Sequence, residues 1–570
     1  MGPNTPSAPA GTAAPTSRTR IAPNQPPPVP DHDSWAADHS SRWWLDHALR
    51  SCGVERVSDE HAARLEAVGR AVGSQHLRDA ADLANRNDPQ LATYDRWGHR
   101  IDDITFDASW HEVLGAVTSS GVCGLPWNDP TSGYLVRAAA MEQWARLDMG
   151  VMCPVTMTAA AVPVLQRDAS GPGGVLAARI LDAAAAGTGA GHPLMGMAMT
   201  EPQGGSDLAA SSTIATEQPD GTHRLDGHKW FVSHAVADAL LVLAREPGVG
   251  EGSRGLSCFL VPGWNDAGER NGIELQRLKD KLGTRSLASA EVVLAGAVGT
   301  RIGEPGRGVP TIIEMVVHTR MDCAIGNAGI LARAVGEVVH HARGRAAFGR
   351  PLVDQPLMRM VLADLLLERD ASLALAYEVA RGFQAADPVS RLVTAVAKYW
   401  ITRRAVLACI ECVESLGGNG YTEEFPLARL YRDVQVNSTW EGSGNVMALD
   451  VLRAIGRDPA LVSLVRERIA ALVDGAPDEL ASAVATFAAS IEAPGAEQDG
   501  RRFAGRLAIA LQAALLVHRA ATTGDEADQR VATAFIATRV SAHPERVFGD
   551  GDDRLLAAAE PLLARAPISA

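Results

Sequence analysis

The chain has 570 residues, 46% of them apolar, and carries 53 Lys and Arg against 67 Asp and Glu, a formal net charge of −14. Such an apolar fraction buries a sizeable interior and excludes a wholly disordered chain, and the length suggests three to four domains. The negative balance excludes binding of a polyanion such as DNA over the whole surface, leaving only a local concentration of positive charge as a route to it.

Aromatic residues are only 5%, and Ala and Leu abound, which favours helix over sheet. The seven cysteines (Cys52, Cys123, Cys153, Cys258, Cys323, Cys409 and Cys412) are odd in number and mostly scattered. They argue against a disulfide framework and for a reducing, cytoplasmic setting. Cys409 and Cys412 form a C-x-x-C within a helical pattern, with no second pair, and read as small helix residues rather than a metal or redox centre. No run of about 18 charge-free apolar residues is found, so no membrane span is expected.

In chain order, the first thirty residues hold nine of the 32 Pro, which predicts a disordered tail over 1–34. Helical spacing follows from Trp35 to about Gly187, clearest in Ser58–Ala71 and Ser132–Leu147. From Met195 the texture changes to short β-rich runs: Leu240–Ala244, Leu256–Val261 and Ala290–Leu294. Helical periodicity resumes in Val309–Ala347, Met358–Gly382, Arg391–Leu416 and Met447–Ile455. Beyond Arg457 lie further Ala- and Leu-rich helical patterns, broken at Gly475–Pro477, Pro494–Gly500 and Gly524–Asp525.

The expected fold is therefore mainly α with an inserted antiparallel β domain. Its parts are a tail (1–34), an N-terminal helical domain (35–194), a β domain (195–304), a second helical domain (305–455) and an additional helical domain (456–570). This α–β–α order is not an alternating βαβ series, so a doubly wound sheet is excluded.

Five segments carry chemistry. Met199-Thr200-Glu201-Pro202-Gln203-Gly204-Gly205-Ser206-Asp207 pairs glycines that admit a bulky ligand with hydroxyls and turn N–H donors suited to anionic oxygens. Gly227-His228-Lys229-Trp230-Phe231-Val232-Ser233 alternates like a strand, which puts Trp230 and Phe231 on opposite faces. Arg345-Ala346-Ala347-Phe348-Gly349 places an Arg at a helix end, where it can pair with a diphosphate or with helix carbonyls. Leu416-Gly417-Gly418-Asn419-Gly420-Tyr421 reads as a helix stop and loop. In Leu430-Tyr431-Arg432-Asp433 and Asn437-Ser438-Thr439-Trp440-Glu441-Gly442-Ser443-Gly444-Asn445, a carboxylate ahead of a new helix is either a candidate general base or a Glu favoured by the helix dipole. Taken singly, each segment has a plain structural reading.

Together, in this order, the five segments resemble the acyl-CoA dehydrogenase family. The resemblance is strong over about 195–455 and looser over 36–194. It narrows to the AidB branch through Asn24-Gln25-Pro26-Pro27-Pro28, Pro154-Val155-Thr156-Met157-Thr158, Arg277-Leu278-Lys279-Asp280-Lys281-Leu282-Gly283, Thr319-Arg320-Met321-Asp322-Cys323-Ala324 and the Trp440–Asn445 form of the base loop.

The resemblance implies an acyl-CoA dehydrogenase-like fold with an extra C-terminal helical domain, and FAD held between the β domain and the second helical domain. Met199, Thr200, Gly205 and Ser206 match the turn at the flavin and diphosphate. Phe231, Val232 and Ser233 match the strand beside the flavin ring. Arg345, Phe348, Gly417 and Gly418 match contacts that a neighbouring subunit gives to the ADP half, which implies a homotetramer. Thr439, Gly442, Ser443, Asn445 and the helix from Glu441 to Leu449 match the segment facing the flavin from the other side. Where most of the family has Gln, three residues before the paired glycines, Glu414 stands here. Glu441 matches the catalytic base and Arg320 a neighbour of the substrate; the alternative base position of the isovaleryl-type branch is Thr319, which cannot serve.

The implied function is FAD-dependent dehydrogenation of an acyl thioester. The alternative is a DNA-binding flavoprotein of the alkylation response, with residual dehydrogenase chemistry; a weaker option is a flavin-dependent oxidase acting on an alkylating agent. In that branch DNA contacts belong to the C-terminal segment, with Arg453 and Arg457 as candidates here. From Arg457 onward, however, the chain has twelve Arg, no Lys and sixteen acidic residues. Arg466, Arg468, Arg501, Arg502 and Arg506 form a basic face only if folding gathers them.

Overall fold

The computed structural model describes residues 24–265, 267–494, 496–541 and 553–566. Of the expected tail, residues 1–23 lie outside the described residues. Residues 24–34 are packed rather than disordered. The Asn24 side chain pairs with both the N–H and the carbonyl of Ala346, at 2.6 and 2.7 Å, and His340 Nε2 lies 2.8 Å from the Pro27 carbonyl. The arm closes on Gly344, where a Cβ would stand 2.6 Å from that of Pro26. Proline-rich composition had hidden this docking, because rigid extended residues lose little entropy when they lie along a surface.

The helical reading holds closely. Ser58 caps Asp59–Gly73 by accepting from the His61 N–H at 3.2 Å. Helix α1 (Gly133–Leu147) runs into α2 (Met149–Leu165), whose N-cap Asp148 accepts from the N–H groups of Gly150 and Val151. The stretch Met149–Asp168 does have the length and apolarity of a membrane span, contrary to the sequence reading, but 89% of its apolar window is buried within the fold. It is the central helix of the core, apolar all round because it is covered all round.

The second helical block comprises α3 (Gly308–Gly344), α4 (Pro356–Gln384), α5 (Ser390–Ser415) and α6 (Gly444–Arg457). The breaks expected after Arg457 are where the chain turns, and the longest helix there is α7 (Gly500–Thr523), ended by Gly524 at φ +63°. These C-terminal helices share a single apolar core with α1–α6. Ionic clamps add to it: Arg468 holds Glu378, and Arg539 holds Asp364 at 2.7 Å and Glu368 at 3.0 Å.

The β domain has its own core. Its strands are β3 (Met195–Ala198), β4 (Ile214–Glu217), β5 (His223–Ser233), β6 (Ala239–Arg245), β7 (Leu256–Pro262), β8 (Ile273–Leu278) and β9 (Ser289–Ile302), numbered after a preceding hairpin, β1 (Gln90–Tyr94) and β2 (Arg100–Thr105). The sheet is mixed, not purely antiparallel: β3 and β4 both pair with β6 in parallel, and β5 pairs with β9, so the sheet curls back on itself. The hairpin was missed by the helical reading of 35–194. It is turned by Asp95, whose carboxylate accepts from the N–H groups of Trp97 and His99, and Ile104 joins the β core. Two interiors, one helical and one β, thus meet along a seam.

Candidate active site

The Met199–Asp207 turn is anchored from beneath. Glu201 is buried and accepts hydrogen bonds from the N–H and hydroxyl of both Ser212 and Thr213, from Gln203 and from Lys229. Lys229 is fully buried and also donates to the Leu243 carbonyl at 2.7 Å. Burial opposes both charges. For Glu201 the Lys229 ammonium and the Thr213 hydroxyl outweigh it, and the carboxyl lies well below the usual range. The Trp230 N–H donates to the Thr200 carbonyl at 2.9 Å, so turn and strand move as one body. Above this anchor, Gly205 presses so closely on Thr200 that a Cβ would stand 2.4 Å from its hydroxyl. Among the described residues, the N–H groups of Gly205 and Ser206 have no partner.

Strand β5 does not alternate where it matters. Its register with β9 slips between Lys229 and Val232, a bulge spanning Trp230 and Phe231. The two rings therefore share a neighbour rather than facing opposite ways: Lys279 Nζ lies 3.5 Å from the Trp230 centroid and 4.6 Å from that of Phe231. Phe231 remains 55% exposed even with the Lys279 ammonium near its ring. Val232 is fully buried in the β core, so only its backbone can serve a ligand, while Met199 packs at the edge of the helical core.

Glu441 lies in a turn before α6, with φ +58°, and the following Gly442 has φ +110°. The helix begins at Gly444, so Glu441 is outside it, and both the helix expected from Glu441 and the plain dipole reading are corrected. Its Oε2 is buried and has no partner among the described residues. Burial raises the Glu441 carboxyl, and the Thr319 hydroxyl and the charges of Arg320 and Lys398 hold it back. Arg320 donates from Nε to the Glu441 carbonyl at 2.9 Å and pairs with Asp450 at 2.8 Å.

The two halves meet at Cys153 of α2. Burial pushes its thiol up to about 12, and Ser233 of the β domain, Lys281 and Glu441 all act on it electrostatically. Cys323 of α3 lies in the same field, among Lys398, Glu441 and Cys153. All seven cysteines are unpaired, Cys409 and Cys412 included. Asp433, raised to about 6 by burial, accepts from the Thr284 N–H and so ties the loop after β8 to the bundle.

The remaining predicted residues gather in two places. Thr439, Ser443 and Asn445 are exposed around the start of α6, with Arg501 of α7 and Arg403 of α5 beside Gly444. At the corner after α3, Arg345 donates to the Asn24 carbonyl at 2.9 Å, rather than to helix carbonyls, and Phe348 is completely exposed. Gly417 and Gly418 have open space around them, and Glu414 is exposed one turn earlier. Arg453 and Arg457 are exposed, but Arg468 pairs with Glu378, Arg466 with the Ile491 carbonyl, Arg502 with Asp499, and Arg506 lies over Phe487. Folding does not pool these arginines into one free face.

Sequence reasoning missed Lys398, Cys153 and Lys279 as parts of the site. The signal for Lys398 was a single ammonium inside the apolar helical run Ala395-Val396-Ala397-Lys398-Tyr399, a placement that demands a partner.

Residues 24–182 match the adaptive response protein AidB N-terminal domain, residues 196–297 the acyl-CoA dehydrogenase middle domain, and residues 306–456 its C-terminal domain. The putative acyl-CoA dehydrogenase AidB of Escherichia coli is 40% identical over 456 residues, 78% of this chain and 82% of that protein. The crystal structure of Caenorhabditis elegans ACDH-11 in complex with C11-CoA superposes with a TM-score of 0.84 at 28% identity, covering 94% of this chain and 95% of that one. An acyl-CoA dehydrogenase from Bacillus anthracis, complexed with FAD, shares the fold at 19% identity, with a TM-score of 0.64 over 84% of this chain and 85% of that one. The chain belongs to the acyl-CoA dehydrogenase family of oxidoreductases, in its AidB branch.

Proposed function

We propose that this protein binds FAD along the seam and dehydrogenates an acyl thioester, with Glu441 as the base that removes the α-proton. The observation that carries the reading is the buried, unpartnered Oε2 of Glu441, which shares the electrostatic surroundings of Cys153 with Ser233 of the β domain. The residues present fit a flavin: a half-exposed Phe231 face, free N–H donors at Gly205 and Ser206, hydroxyls at Thr200, Ser206 and Ser233, and a glycine that admits close approach. When bound, FAD supplies the acceptor for the hydride that leaves the β-carbon. The start of α6, flanked by Arg403 and Arg501, suits a phosphate through helix dipole and charge.

The chain's own part in the chemistry is to hold the thioester carbonyl on backbone N–H groups and to take one proton at Glu441. Water is excluded by the buried flank of α2 and α3, and a carboxyl raised by burial is a stronger base once ionised. The acyl-CoA bound by ACDH-11 supports an acyl thioester as the substrate class. The exposed corner at Arg345 and Phe348 and the open Gly417–Gly418 turn support a homotetramer in which these groups serve a neighbouring copy. The helices after Arg457 are read as an added helical domain on this core. The DNA reading has less support, since Arg466, Arg468 and Arg502 already have protein partners.

The test is anaerobic titration of yellow, FAD-loaded protein with a panel of acyl-CoA esters. Flavin bleaching by at least one of them, lost in Glu441→Gln while FAD stays bound, is the expected result. Bleaching that survives in Glu441→Gln excludes Glu441 as the base, and protein that takes up no added FAD removes the whole reading.

A further inference from the structure

Lys398 on α5 is 1% exposed, and among the described residues it makes no ion pair. Its Nζ instead donates to the carbonyls of Trp440, at 2.9 Å, and of Gly442. Arg320 on α3 donates to the carbonyl between them, that of Glu441, at 2.9 Å. Three consecutive carbonyls are therefore held by two buried cations from two helices. A buried ammonium is costly unless its donors are used, and among the described residues its acceptors are the two loop carbonyls. A simple packing role would have been met by Leu or Met.

The loop that is held is also strained: Glu441 has φ +58° with a full side chain. Such backbone persists where its surroundings over-determine it. In a trans peptide the carbonyl and the following N–H point in opposite directions. Drawing the Trp440 and Gly442 carbonyls to Lys398 thus turns the N–H groups of Glu441 and Ser443 away from it, and Arg320 does the same for Gly442. None of these three N–H groups has a partner among the described residues.

We infer that Lys398 is a positioning residue for the reaction. With Arg320 it clamps the Trp440–Gly442 carbonyls, which holds the Glu441 carboxylate in attack geometry and leaves the loop N–H groups free for the thioester oxygen. This rests on the proposed function. It adds a group that touches neither substrate nor flavin and acts through the backbone of the base.

The test compares wild type with Lys398→Met, which removes the donors at similar length, and Lys398→Gln, which keeps a neutral, shorter donor group. Hydrogen exchange read by mass spectrometry over residues 436–446 needs no substrate. The Met variant is expected to exchange faster in that window alone, with the rest of α5 unchanged. Single-turnover flavin reduction should slow on the order of 100-fold in Lys398→Met, as expected for a misplaced catalytic group, with substrate affinity nearly unchanged and partial recovery in Lys398→Gln. Wild-type rates and unaltered exchange in the Met variant overturn the proposal. So does exchange raised throughout α5 and α6 with activity following folded fraction, because that is the signature of general support. Should Lys398→Met fail to fold, Lys398→Gln carries both measurements. If wild type itself is not reduced by any acyl-CoA, the proposed function fails, while the exchange comparison still decides whether Lys398 orders the loop.

Discussion

The Glu201 carboxylate and the Lys229 ammonium meet at 2.9 Å with both side chains fully buried, and together they fix the Thr200–Ser206 turn to strand β5. Neither group reaches the outside of the turn. Their role is to let a loop of small polar residues keep its shape while its free donors face outward.

Removing either partner alone leaves an unpaired charge in the β interior. Glu201→Gln or Lys229→Met should each cost about 3–5 kcal/mol in denaturant unfolding and weaken FAD binding. The double change Glu201→Gln with Lys229→Met should cost clearly less than the sum of the two single losses, without restoring the affinity. The pH dependence has a fixed sign. The folded carboxyl lies below its ordinary value of 4.5, so its contribution is fully present above that value and is lost as pH falls toward the folded value. Full additivity of the two single losses would show that the pair is not coupled.

Glu441 has the opposite sign. Burial raises its carboxyl above the ordinary 4.5, so ionising it in the folded state costs stability as pH rises through the raised value. Glu441→Gln should therefore melt higher than wild type at pH 8, with the gap closing near pH 4. In wild type the acid limb of flavin reduction should lie above the usual Glu range. Thr319→Val, which removes the hydroxyl that lowers this carboxyl, should move that limb further to alkaline pH. A limb unmoved by Thr319→Val would show that another group controls it.

Much of this was legible beforehand because it is periodic or local. Ser132–Leu147 and Arg391–Leu416 were legible as helices, and α1 and α5 fall within a residue or two of those bounds, although α1 is buried nearly all round rather than along one stripe. What alternation got wrong, it got wrong at the bulge: Trp230 and Phe231 share Lys279 because β5 gains a residue against β9, and no periodic rule carries that information. The β1–β2 hairpin was lost inside a helical average. The docked arm at Asn24 was lost because its partners, Ala346 and Arg345, lie more than 300 residues away. The site's polar core was hidden for the same reason: Ser233, Cys153 and Glu441 come from three separate stretches of chain.

Phe348 gives a separable test of assembly. Its ring is completely exposed and packs on nothing in its own chain. Phe348→Asp should leave unfolding of the isolated chain within about 0.5 kcal/mol of wild type. If a neighbouring copy uses this corner, the same change should weaken FAD binding at least ~10-fold and reduce self-association in sedimentation. Unchanged affinity and unchanged association would remove Phe348 from the assembly.

DNA affinity is the remaining prediction, and charge decides it. Non-specific binding rests on neutralising phosphates, and each contact adds to the salt dependence. From Arg457 onward acidic residues outnumber arginines sixteen to twelve, and Arg468, Arg519, Arg530 and Arg539 are paired with carboxylates within the protein. Arg453 and Arg457 remain exposed on α6. Duplex binding should accordingly be no tighter than roughly micromolar at about 0.15 M salt, with a shallow salt slope. Arg453→Ala with Arg457→Ala should reduce that slope by about two. A tight, salt-insensitive complex would contradict phosphate-led contact and call for recognition by a surface other than these arginines.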